Sequence, residues 1–225
     1  MTVMPPREMA AWLHDFFPNI APSMSGDACW IAWMLTREAE HNPPFYWLGR
    51  ALDAAAEGGV TEVFRARLLA AHGADSCRGR GDRDHRAQDV LTEACGYAWT
   101  AAHLGPPVLE PVDERGLEEG ALRIHVPSHD AYVAPRRVWP QRTMTEVMQA
   151  VGSLAEAAAL ALPPAPGRVL YMDLWHDRMY AQSVGYRLEL TEPIQQALRH
   201  FAGEYHLGHV LTRPFQWGNP VEAWY

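Results

Sequence analysis

Residues Ala121–Arg142, ALRIHVPSHDAYVAPRRVWPQR, constrain this chain more than any other stretch. Ala121–Val126 alternates apolar and polar side chains, as a half-buried strand does. Pro127 turns the chain, and Ala131–Ala134 reads as a second short strand. The stretch presents His129 and Asp130 at its turn. It closes with Arg136, Arg137 and Arg142 among Tyr132, Trp139 and two prolines. A fold containing it needs a sheet, and it is also where a function is expected.

The flanking texture sets the rest. Residues 1–75 read as a helical segment of four short helices. Trp12, Trp30, Trp33, Phe45, Trp47 and Phe64 are expected in its core. Residues 76–86 mix glycine, aspartate and arginine without an apolar period and read as a surface loop or linker. From residue 87 to 225 the pattern is that of a mixed-sheet α/β domain. Gln88–Leu104 is a helix with an apolar stripe. Pro107–Val112 is a short strand. Thr143, with Glu146 in the capping-box position, opens a helix that runs through Leu162. Arg168–Trp175, RVLYMDLW, is the clearest buried strand, and Tyr186–Leu190 is a weaker one. Thr191 and Pro193 open a helix to about Tyr205, and Leu207–Arg213 is a last strand before an aromatic tail, PFQWGNPVEAWY. The expected fold is α+β, with the helical N-terminal segment packed on the mixed-sheet domain.

The order from residue 87 is helix, three strands, helix, two strands, helix, strand. It is similar to the core of restriction-endonuclease-like domains. Such nucleases place an acid and then an acid-x-lysine pair on adjacent central strands. Here Asp130 and Glu93 stand in for two acids, and nothing fills the third role, because the chain has no lysine. The resemblance implies a fold whose nuclease chemistry is lost or rebuilt.

All 19 basic residues are arginine, which a bacterial-type high-GC coding bias explains. A lysine Schiff base, a lysine general base and a lysine phosphate loop are thereby excluded within this chain. Three cysteines, Cys29, Cys77 and Cys95, are an odd and widely spaced set, which argues for a reducing compartment and against a disulfide framework. No signal peptide is visible at the start, and no apolar run reaches membrane-helix length. A cytoplasmic location without membrane contact is therefore expected.

Two constellations carry chemistry. The first is an arginine–aromatic surface of Arg136, Arg137, Arg142, Tyr132 and Trp139, suited to gripping phosphates or stacking on bases. Residues 76–142 carry nine arginines against ten acids, so a general nucleic-acid binder is not indicated. The bland alternative is a set of surface arginines paired with nearby acids. The second constellation comes from 11 histidines, about twice the ordinary share. His125, His129 and Asp130 end one strand, and Asp173, His176 and Asp177 end another. Imidazole with carboxylate suits a divalent transition metal. The bland alternative is solvated loop histidines and turn-making aspartates. His200, His206 and His209 form a further cluster. Cys29, at a helix start, reads better as a buried structural thiol than as a nucleophile.

Two functions follow. One is a non-catalytic interaction or accessory protein that binds a protein partner, a phosphorylated ligand or a nucleic acid through the arginine–aromatic surface. A second copy of the chain is an eligible partner. The other is a metal-assisted hydrolase, acting on phosphoesters as a nuclease-like enzyme does, with the His/Asp clusters holding the ion. The second requires the two strand ends to meet in one place.

Overall fold

A computed structural model describes residues 51, 53–72, 82–111, 122–138, 143–174, 192–212 and 221–225. The expected helices before residue 51, Cys29 and the expected strand at Tyr186–Leu190 lie outside the described residues. The chain divides into two compact units, Met1–Ala98 and Trp99–Tyr225.

In the first unit, residues 53–57 are helical and stop at Gly58-Gly59. Gly59 has φ +69°, and the Val60 amide closes the end by donating to Ala55 O at 2.8 Å. Only glycine takes that left-handed turn without a Cβ penalty. Helix α1 is Thr61–His72 and α2 is Asp82–His103, whose residues up to Ala98 belong to this unit. Phe64 of α1 is fully buried and meets Tyr97 of α2 edge to face, centroids 6.0 Å apart. Arg67 donates to the buried carboxylate of Glu93 at 2.5 Å. Helix α2 begins at Asp82, inside the stretch expected to be loop. Apolar periodicity marks only the buried part of a helix, and no glycine or proline interrupts the chain between Gly81 and Gly96.

The second unit is built on one six-stranded mixed sheet in the order β1-β2-β3-β4-β5-β6. Its strands are β1 Val108–Pro111, β2 Leu122–Val126, β3 Ala131–Val138, β4 Gly167–Leu174, β5 Gly208–Thr212 and β6 Val221–Ala223. Helix α3, Met144–Ala161, connects β3 to β4, and helix α4, Glu192–Tyr205, precedes β5. β1–β2–β3 is an antiparallel meander; β3, β4 and β5 are parallel; β6 returns antiparallel to β5. The α+β expectation holds, with a mixed sheet.

Helix α3 starts as its sequence requires. The Thr143 hydroxyl accepts from the Glu146 amide at 3.2 Å, and the Glu146 carboxylate accepts from the Thr143 amide at 2.9 Å. Its buried stripe, Val147, Val151, Ala155, Ala158 and Leu162, recurs every three to four residues and packs with Leu198 and Ala202 of α4. Together they cover one sheet face, carrying Ala134, Val138, Leu170, Met172, Leu211 and Ala223. Small residues let the helices approach closely, and Gly152 sits where a Cβ would press on the Phe201 ring at 3.1 Å. On the opposite face, Trp99 lies 6.0 Å from the Tyr171 ring.

Strand β3 is longer than its sequence suggests. It runs through Pro135, Arg136 and Arg137, held by eight consecutive register positions to β4. The aromatic tail contributes β6, a paired strand that its composition alone does not announce. No described helix is long and apolar enough to cross a membrane.

Removing the capping box should be measurable. Thr143→Ala is expected to cost about 1 kcal/mol in urea unfolding, with an unchanged m-value. A loss below about 0.3 kcal/mol would show that the α3 start does not depend on its cap.

Candidate functional site

Parallel pairing brings the C-terminal ends of β3, β4 and β5 to one edge of the sheet. Three side chains stand in line there. Arg137 is the register partner of Asp173, and Asp173 is the register partner of Thr212. Neighbouring strands are about 4.8 Å apart, so these positions adjoin. Asp173 is 0% exposed and Arg137 4%. A buried carboxylate costs several kcal/mol of solvation, so it needs donors and an opposite charge close by. The Thr212 hydroxyl donates to Asp173 Oδ1. Tyr171 Oη lies 3.3 Å from Thr212 Oγ1. With the threonine proton directed to Asp173, the tyrosine is the donor of that second bond. The result is a short chain of hydroxyls ending on a buried carboxylate, with a guanidinium one strand away. Strand carboxyl ends are where α/β sheets place ligand sites.

This grouping crosses the two constellations read from sequence. Arg137 belonged to the arginine–aromatic set and Asp173 to the His/Asp set, and register makes them neighbours. Trp139, Arg142, His176 and Asp177 follow these strands in sequence and lie outside the described residues.

His129 and Asp130 are at the other end of the strands. Pro127–His129 forms one turn of 3-10 helix, and Asp130 takes a left-handed conformation, φ 46°. Aspartate tolerates that region better than most residues. The Asp130 carbonyl accepts from the Gly167 amide at 3.4 Å, joining the turn to the start of β4. The His129 ring lies 2.9 Å from Ser128 Oγ, and both residues are exposed. Ala131 pairs with Gly167 and Arg137 with Asp173, so seven residue steps, about 23 Å, separate Asp130 from the level of Asp173. Asp130 and Asp173 are therefore too far apart to share one ion. Among the described residues, no group of three or more His, Cys, Asp or Glu is arranged to hold a metal.

His125 belongs to a third place, the face of β1–β3 that continues the α3/α4 side. Its Nδ1 is 3.1 Å from Glu110 Oε1, and Arg123 Nε donates to Glu110 Oε2 at 2.9 Å. The His125 ring stacks on Tyr132, centroids 4.4 Å apart and planes 7° from parallel. The Arg123 guanidinium carbon is 5.3 Å from the centre of the same ring. These side chains are half-buried, and each is held by two others. Arg136 stands four residues along β3 on the Tyr132 side, and its Nη1 donates to Pro135 O at 2.6 Å. Arg137 is on the opposite side. The adjacent arginines therefore serve different faces, as strand alternation demands.

Glu110 and Arg123 were not singled out from sequence. Their link is a cross-strand one, Glu110 opposite Arg123 in β1–β2, and it becomes visible only with the register. Glu93, a stand-in acid of the nuclease-like pattern, is engaged by Arg67.

The C-terminal histidines do not converge. His200 is exposed on α4 with Nε2 3.5 Å from Glu204. His206 is exposed and meets Tyr225 edge to face at 5.8 Å. His209 is fully buried on β5, and neither ring nitrogen has a hydrogen-bond partner among the described residues. Burial pushes its pKa down to about 4.

No protein-family model, no curated protein and no solved structure matches this chain.

Mutational cost should separate the two sheet ends. Asp173→Ala is expected to lose about 3 kcal/mol in chemical denaturation, because it removes the buried acceptor to which the Thr212 hydroxyl donates. His129→Ala should stay within about 0.5 kcal/mol. Equal losses would contradict the placement.

Proposed function

We propose that this chain is a non-catalytic interaction protein that binds a partner chain or phosphate-bearing ligand through the arginine–aromatic face of β1–β3. The observation that carries this reading is the fixed Tyr132 ring, stacked on His125 and flanked by Arg123. A side chain already held in place loses little rotamer freedom on binding, and tyrosine and arginine are favoured anchors at interfaces. Arg136 lies on the same side of β3 and extends the cationic character along it. Glu110 offsets part of that charge and fixes the orientation of Arg123 and His125. A protein partner suits the overall charge of −8 better than a nucleic acid does. The outer strands favour recognition by side chains over strand addition. β1 has four residues and ends at Pro111, and β6 has three. Short edges and proline discourage pairing with a foreign strand.

A photo-crosslinking residue at position 136, compared with one at Ser153 on α3, tests the face. Discrete adducts at 136, absent at 153 and weakened at least tenfold by Tyr132→Ala, are expected. Equal labelling at both positions would remove the proposal.

The metal-assisted hydrolase remains a second reading because Asp173 and Arg137 adjoin at a strand-end edge. In that reading Asp173, His176 and Asp177 hold a divalent transition metal, and Arg137 stabilises developing negative charge. His125, His129 and Asp130 would take no part. Metal analysis of protein purified without chelator decides it: near-stoichiometric metal lost on Asp173→Asn supports the hydrolase, and no uptake on titration dismisses it.

A further inference from the structure

Residues 221–225 are fastened across β5. Among the described residues β6 pairs with β5 alone, with Ala223 opposite His209 and Val221 opposite Leu211. The Trp224 indole lies over Gly208, where an added Cβ would collide with it. The Tyr225 hydroxyl donates to Pro166 O at 3.1 Å, and its ring meets His206. Behind this strap, His209 is flanked by Leu170 of β4 and Ala223 of β6 on the apolar face.

We propose that β5 and β6 form an acid-sensitive latch, in which protonation of His209 releases β6 with Trp224 and Tyr225 while the rest of the sheet stays folded. A charged imidazole needs water or an acceptor, and in the closed state it has neither among the described residues. The described elements around it offer no compensation. On β4, Leu170 lies between Arg168 and Met172 on this face, and the Arg168 guanidinium donates to Ala159 O. Arg168 is a cation and opposes a second one. On α4 the buried positions are Leu198 and Ala202. Tyr205 is half-buried there, its pKa raised by burial and then by Glu204 and Glu156, so it stays neutral. Glu192, Arg199, His200 and Glu204 are exposed, and Glu192 and Glu204 face Arg199 and His200. On β6, Glu222 alternates to the opposite face and is exposed. On α3, Glu156 is exposed and Glu146 is engaged in the helix cap.

The easiest route for water is through the edge. β4 is paired on both sides, whereas β6 has three residues and is the outer strand among the described residues. Opening it hydrates the imidazole and uncovers an edge of β5. The sign follows from linkage. The closed state holds the imidazole neutral, with its pKa lowered from 6.5 to about 4, so closure is fully favoured above about pH 6.5 and weakens as pH falls toward 4. The open-to-closed ratio should rise about 30-fold between pH 7.5 and pH 5.

Hydrogen exchange of the full chain, corrected for intrinsic rates, tests the latch. Between pH 7.5 and pH 5, amide protection in 221–225 and on the facing edge of β5 should fall about 30-fold, while Val169–Met172 keeps its protection. His209→Leu should abolish the pH dependence. The wild-type arm stands alone if that variant does not fold. Protection of β6 that is independent of pH, loss in β4 in step with β6, or an unchanged dependence in a folded His209→Leu protein would each overturn the proposal.

Discussion

The parallel alignment of β4 between β3 and β5 is the constraint on which the second unit depends. A strand paired on both edges and covered on both faces must be apolar nearly throughout, and RVLYMDLW meets that demand until Asp173. Parallel neighbours cannot be joined by a tight turn, so the chain leaves β3 and returns through α3. That crossover covers the sheet and also brings the strand carboxyl ends to one edge. The row of Arg137, Asp173 and Thr212 follows directly from it.

Polarity is distributed over the sheet by the same alternation. One side of β3 gives Tyr132 and Arg136 to the half-open face of the meander, and the other gives Arg137 to the buried row. Near β1 and β2, polar side chains satisfy one another through Glu110. Nearer β5, the face is apolar and includes one imidazole. His209 is tolerated there as a neutral group, and its location beside the short strand β6 gives the burial a consequence for pH response.

Local chemistry was legible where the signal is local. The Thr143–Glu146 capping box, the α3 stripe, the turn at Pro127 and the β4 strand are all visible in sequence, because each depends on residues within a few positions. The end of β3 was less legible, since Pro135 and two arginines do not resemble strand and are placed there by pairing with β4. The start of α2 was missed because its residues, Asp82–Arg86, carry no apolar period. Sequence groups residues by adjacency, so Arg136 with Arg137, and His125 with Asp130, read as units. Strand alternation sends Arg136 and Arg137 to opposite faces, and register joins Arg137 to Asp173, and Glu110 to Arg123, across strands that spacing cannot align.

The β3–β4 register is the claim to test first. In isotope-labelled protein, interstrand NOEs should connect the backbone of Arg137 with that of Asp173, and of Val133 with that of Val169, in the parallel pattern. No contact should link Asp130 with Asp173. Finding Asp130 beside Asp173 would reverse the strand direction. It would reunite the two His/Asp clusters and dissolve the buried row on which this account of the sheet edge stands.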